Sequence, residues 1–248
     1  MHSDNALVSS DEVMKDPGYE RAFALFSGTL NCQERPRPDI HAAMLRLADQ
    51  ALISQISQAV STAWRAGKKV WLTADLHLGH KNVLSYCARP FLNVQDMDEA
   101  LSWQLGKVGP DDWLVIVGDL AMGDHTLCFP VLRRVPSRKV LVVGNHDITR
   151  AGLCHYKDAL HDDGSHLFEA VVPFLYWSGH CGQPVVVSHY PLRPIDAPEC
   201  VTGDGHAPAS EFPLLNYHGH LHRDLLPHGP SVQYINVGWD VTQGLVCL

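Results

Sequence analysis

Three short runs that are almost unbroken in apolar residues constrain this chain most: residues 70–74 (VWLTA), 113–117 (WLVIV) and 140–143 (VLVV). A strand with one wet face alternates polar and apolar residues, whereas a strand covered on both faces does not. Segments with helical patterning, 97–108 and 125–135, lie between these runs, and alternation of this kind predicts an α/β fold. Four further strands are expected at 167–177, 184–187, 214–217 and 232–237. With 248 residues, 46% of them hydrophobic, the chain is long enough to bury a sizeable core. It contains no internal repeat and no low-complexity segment.

The residues just past the runs carry the chemistry. In open α/β sheets, ligands bind outside the carboxyl ends of the strands. Here those positions hold Asp75-Leu76-His77, Gly118-Asp119, Gly144-Asn145-His146-Asp147, Ser188-His189 and Gly219-His220-Leu221-His222. Carboxylate, amide and imidazole groups are donors for divalent metals. In an extended segment, residues i and i+2 face the same side, so Asp75 and His77 are expected to reach one cation. Gly118 permits a sharp turn next to Asp119, whose two oxygens can bridge two ions. Asp-x-His and Gly-Asp are weak signals alone. Gly-Asn-His-Asp and Gly-His-x-His are specific, and five motifs together leave little room for coincidence.

In order and residue type these motifs resemble the calcineurin-like metallophosphoesterase superfamily. The stretch DLHLGHKNVLSYCARPF, residues 75–91, is similar to its small bacterial and phage members. The resemblance covers roughly residues 68–240. It implies a four-layer α/β/β/α sandwich of two mixed sheets, here with an N-terminal helical extension. It also implies two divalent ions, one held by Asp75, His77, Asp119 and His222, the other by Asp119, Asn145, His189 and His220, with Asp119 bridging. Manganese is the first expectation for those ions; iron, nickel and zinc suit the same donors. His146 would face the phosphate beside Asn145 and protonate the leaving oxygen, and Asp147 would orient His146. His80, Lys81 and Arg89 are expected at the substrate entrance.

The implied activity is hydrolysis of a phosphomonoester or phosphodiester, a small molecule or nucleotide, by a metal-bridging hydroxide, with His146 and Asp119 as the catalytic residues. Protein Ser/Thr phosphatases of the superfamily carry an arginine shortly after the bridging aspartate; the run 118–124 (GDLAMGD) has none, which weighs against a phosphoprotein substrate. Two alternatives remain: a nuclease on single-stranded or short nucleic acid, and a metal-binding scaffold that docks partners. A net charge of -8 disfavours duplex nucleic acid, which is normally met by a basic surface.

Residues 1–66 lie outside the resemblance and are expected to form an extension, with 67–248 the catalytic domain. Residues 1–35 are expected to be partly disordered. Pro36, Pro38 and Asp39 read as a linker, and 40–66 as one amphipathic helix with a stripe of Leu45, Ala48, Leu52, Ile56, Val60 and Ala63, stopped by Gly67. That helix would pack on the core, or serve a partner or a homo-oligomer. Seven scattered cysteines, 32, 87, 128, 154, 181, 200 and 247, form no Cys-x-x-Cys pair and read as free thiols of a cytoplasmic protein. The N-terminus lacks the pattern of a signal peptide, and no apolar run approaches the roughly 20 residues that span a bilayer.

Overall fold

A computed structural model describes residues 16–31, 37–193 and 213–248. Three helices come first: α1 (Pro17–Asn31), α2 (Pro38–Arg46) and α3 (Gln50–Arg65). Then come β1 (Val70–Thr73), α4 (Val83–Tyr86), α5 (Val94–Leu105), β2 (Trp113–Ile116), α6 (Phe129–Arg134), β3 (Arg138–Val142), β4 (Ala170–Val172), β5 (Phe174–Ser178), β6 (Pro184–Ser188), β7 (Leu214–His218), β8 (Val232–Asn236), α7 (Trp239–Thr242) and β9 (Val246–Cys247).

The architecture is α/β with two mixed sheets. One has the order β4-β3-β2-β1-β9, parallel except for β9; the other has the order β5-β6-β7-β8, parallel except for β5. β1, β2 and β3 are the three apolar runs. Alternate residues on them point to different cores, which is why the runs could not alternate with polar residues. Val70, Leu72, Val115 and Val142 join a core shared with the second sheet and the N-terminal helices. Leu114, Ile116 and Leu141 face a second core, built with Met97, Leu101 and Leu105 of α5.

Several boundaries differ from the sequence expectation. The single strand expected over 167–177 is two strands in different sheets. Pro173 lies between them, lacks the N–H a ladder needs, and marks where the chain changes sheets. The single helix expected over 40–66 is broken at Leu47–Asp49, because the Asp49 side chain accepts the Leu52 N–H at 3.0 Å and starts a new helix. The break turns the buried stripe of α3 to Ile53, Ile56 and Val60 and leaves Leu52 exposed. Within the segment expected to be partly disordered, residues 17–31 are helical and bury Tyr19, Ala22, Leu25, Phe26 and Leu30. The apolar spacing of three and four was present there, but Gly18 and Gly28 obscured it. Residues 1–15, Pro36, Cys32 and Cys200 lie outside the described residues. No helix among the described residues is long and apolar enough to cross a membrane.

Candidate metal centre

The carboxyl ends of β1, β2 and β3 in one sheet and of β6 and β7 in the other open on a common rim. The loop after each brings in one motif. Asp75 N–H donates to the Gly118 carbonyl and His77 N–H to the Asp119 carbonyl, both at 3.0 Å, which zips the first two loops together. Across the sheets, the His220 N–H donates to the Asp75 carboxylate at 2.9 Å.

The rim is built in an unusual backbone state. Asp75 (φ 55°), His77 (52°), Asp119 (55°), His220 (70°) and His222 (50°) all adopt the left-handed region. Asp and His tolerate it better than most residues, yet it costs free energy that the surroundings must offset. Asp75 and His77 therefore do not share a side by the extended alternation expected from the sequence. Each is turned inward by its own positive φ. The backbones also approach closely: a Cβ at Gly118 would lie 2.4 Å from His189 Nδ1, and one at Gly144 would lie 2.3 Å from Asp119 Oδ1.

Asp119 sits at the middle. Its Oδ1 accepts the His146 N–H at 2.9 Å. Its Oδ2 lies 3.5 Å from His189 Nε2, 3.8 Å from His77 Nε2 and 3.9 Å from His146 Nε2. The His77 and His189 separations are too long for hydrogen bonds and match the spacing of two donors that each reach a shared cation at about 2 Å. Donor atoms of Asp75, His77 and His222 lie within 4.8 Å of one another, as do those of Asp75, Asp119 and His189. Asn145 Oδ1 is 3.1 Å from His189 Nε2, and the His189 and His220 rings are 5.2 Å apart between centroids. His189 Nδ1 points at the Val117 carbonyl at 2.9 Å, which directs Nε2 into the cluster.

Electrostatics and unsatisfied groups point the same way. Both nitrogens of the buried His77 lack a hydrogen-bond partner, and a buried polar atom without a partner calls for an explanation. Burial pushes the imidazoles of His77 and His220 down to about 3 and lowers that of His189, so all three are neutral, with a lone pair available, at neutral pH. Burial, and then the neighbouring Asp119, raise the Asp75 carboxyl well above its ordinary value. For Asp119, burial works in the same direction but is outweighed by His189, His77 and His146, and its carboxyl is held low. Buried this close together, Asp75 and Asp119 disfavour each other's charge, and a divalent cation relieves that cost. The donor set thus fits metal ions.

The remaining sequence candidates divide between the cavity and the interior. His146 is partly exposed and lines a cavity of about 630 Å³ together with His77, His80, Asn82, Tyr86 and His222. Lys81 is exposed and is not among the residues lining that cavity. Arg89, expected at the entrance, is instead buried against Asp240 at 2.8 Å. A sequence cannot distinguish a phosphate-binding guanidinium from one paired 151 positions away. Asp147 does not orient His146. It is fully buried and accepts the N–H groups of Asp119 (2.9 Å), Leu120 (3.0 Å) and Gly144 (2.8 Å), tying two loops together. Burial and the charge of Asp119 push its carboxyl up to about 7 despite those three donors.

The sequence reading missed Asp240, whose Oδ2 is 2.7 Å from His222 Nδ1. The signal was available, because Gly238-Trp239-Asp240 comes after the run 232–237 just as the other motifs come after theirs.

No protein-family model matches this sequence. An uncharacterized protein of Methanocaldococcus jannaschii is 32% identical over 83 residues, which is 32% of this chain and 47% of that protein. Gene 66 protein of Mycobacterium phage L5 is 37% identical over 87 residues, covering 31% of this chain and 39% of that one. The match thus spans less than half the length of these two relatives. Gene 66 protein of Mycobacterium phage D29 is 28% identical over 198 residues, 71% of this chain and 90% of that one. Among solved structures, a protein of unknown function from Aquifex aeolicus is similar, with a TM-score of 0.46 and 19% identity, covering 73% of this chain and 95% of that one.

Proposed function

We propose that this chain is a metal-dependent phosphoesterase of the calcineurin-like metallophosphoesterase type, with two divalent ions, manganese first among them, in a four-layer α/β/β/α sandwich. The observation that carries this reading is the Asp119 carboxylate, buried between the imidazoles of His77, His146 and His189 with Asp75 beside it. One ion would take Asp75, His77, Asp119 and His222, the other Asp119, Asn145, His189 and His220.

Such ions, when bound, polarise a phosphoryl group, lower the pKa of water and steady a leaving oxygen. The protein supplies the rest. Asp147 fixes the loops that carry Asp119 and Asn145. His146, on the cavity side of Asp119, is placed to deliver a proton to the departing alkoxide, and its backbone N–H holds Asp119 in place. The cavity of about 630 Å³ accommodates an ester larger than its phosphate alone. The preferred substrate is therefore a small phosphate ester or nucleotide, in keeping with the absence of arginine from residues 118–124.

The test is hydrolysis of para-nitrophenyl phosphate and bis-para-nitrophenyl phosphate by chelator-stripped protein, before and after Mn(II) is restored. Metal-dependent turnover of either supports the reading, and their ratio separates monoesterase from diesterase. Protein that takes up no metal sinks it.

A further inference from the structure

We infer that the buried Arg89–Asp240 pair is the positioning device for one of the two metal positions, the one built from Asp75, His77 and His222. This inference rests on the two-metal reading and goes beyond it by dividing the site into a position that depends on this pair and one that does not.

The geometry is unusually complete. Arg89 has five N–H donors and the structure gives each an acceptor. Nε donates to Asp240 Oδ1 at 2.8 Å and Nη2 to Asp240 Oδ2 at 2.9 Å. Nη2 also donates to the Asp75 carbonyl at 2.6 Å, and Nη1 to the Leu76 carbonyl at 2.8 Å and Met97 Sδ at 3.3 Å. The Trp239 ring lies against the guanidinium, 5.0 Å from its centroid. Asp240 passes the constraint on, with its Oδ2 at 2.7 Å from His222 Nδ1. Arg89 and Asp240 are thus joined to both ends of one ligand set, although the ends come from opposite parts of the chain.

The pair acts on the ligands in two ways. The carbonyls of Asp75 and Leu76 are pinned between two residues with positive φ, so the guanidinium stabilises the turn that points Asp75 and His77 inward. At His222, the Asp240 carboxylate is an acceptor, so Nδ1 carries the proton and Nε2 is left with the lone pair. The His222 ring stacks on that of His77 at 5.1 Å and 17°, inside the cluster with Asp75. Cys87 Sγ also lies 3.3 Å from His222 Nδ1, and Cys87, His222 and Asp240 form a three-donor group. The Asp240 oxygens already serve Arg89 and His222, so this group backs the first position. Among the described residues, no direct hydrogen bond or ion pair links Arg89 or Asp240 to Asn145, His189 or His220; the nearest link to His220 runs through Asp75, whose carboxylate accepts the His220 N–H.

The test is metal binding by the full chain, read by metal analysis and Mn(II) titration, for wild type, Asp240→Asn and Arg89→Lys. Wild type is expected to bind two ions. In both variants one site should weaken about 10–100-fold, the range for losing a partner of a metal-binding histidine, while the other keeps its affinity. Lysine has only three donors and no planar fork, so it cannot reproduce five bonds. Two unchanged sites, or two sites weakened together, would overturn the inference. A wild type that binds no metal removes the two-metal reading and this inference with it, whereas failure confined to the variants leaves that reading intact. Should the variants not fold, nitrogen NMR of histidine-labelled, zinc-loaded wild type decides: His222 protonated at Nδ1 is expected, and protonation at Nε2 overturns the proposal.

Discussion

The rim and the apolar faces of the N-terminal helices are both buried, yet they are made in opposite ways. The helices are joined to the core by apolar side chains such as Phe26, Met44 and Ile53, and no residue of α1, α2 or α3 has a positive φ. The rim has five non-glycine residues in the left-handed region, two adjacent buried carboxylates, and a histidine with neither nitrogen satisfied. One region lowers the free energy of the fold, and the other gives up part of that margin to hold donors where they would not otherwise stay. Burial alone therefore does not set the rim apart; its buried polar groups in strained backbone do.

The contrast breaks most visibly at Asp119. Asp119→Asn removes the charge that the two proposed ligand sets share, and turnover is expected to fall by about 10³-fold, the upper end for a single electrostatic element. Metal analysis should show loss of both ions. Retention of both at wild-type affinity would end the bridging role. His146→Ala comes next. It should keep two ions and slow turnover by roughly 10²–10⁴-fold, the range for a general acid; full activity would remove that role.

In the helices the expected pattern is reversed. Phe26 is 1% exposed and its ring lies 5.3 Å from that of Phe174. Phe26→Ala should cost about 3–5 kcal/mol of stability by chemical denaturation, with turnover per folded molecule unchanged. A large change in turnover with normal stability would show that α1 acts on the site.

How much of this was legible depended on distance along the chain. The strands could be read because double burial leaves apolar runs, and five of the motifs could be read because each comes directly after a run. Proline chemistry marks the break at Pro173, but the change of sheet there is set by tertiary pairing. The conformation of the rim was not, since i, i+2 alternation holds for strands and Asp75 and His77 lie in a turn of left-handed residues. Arg89 and Asp147 stand out in the sequence, but what they do does not. Their roles are set by Asp240 and by the Asp119, Leu120 and Gly144 amides, partners that a sequence does not place beside them.

The smallest expected effect lies where the rim meets the core. His218, at the end of β7, is buried; its Nδ1 donates to the Gly219 carbonyl at 2.9 Å and its Nε2 has no partner. Burial pushes its imidazole down to about 4. A histidine lowered in the folded state stays neutral while the unfolded chain, near 6.5, takes up a proton. The contribution of this histidine is therefore flat above pH 6.5, and it is lost as pH falls from there toward 4, by about 1.4 kcal/mol per pH unit. His77 and His220 act in the same direction, and the raised Asp75 and Asp147 carboxyls act in the opposite one. Comparing chelated wild type with His218→Gln cancels those shared contributions. The slope of stability against pH between about 6 and 4.5 should be shallower in the variant by roughly one proton. Equal slopes would mean that His218 is protonated in the fold and that the core side of the rim is wetter than its burial indicates.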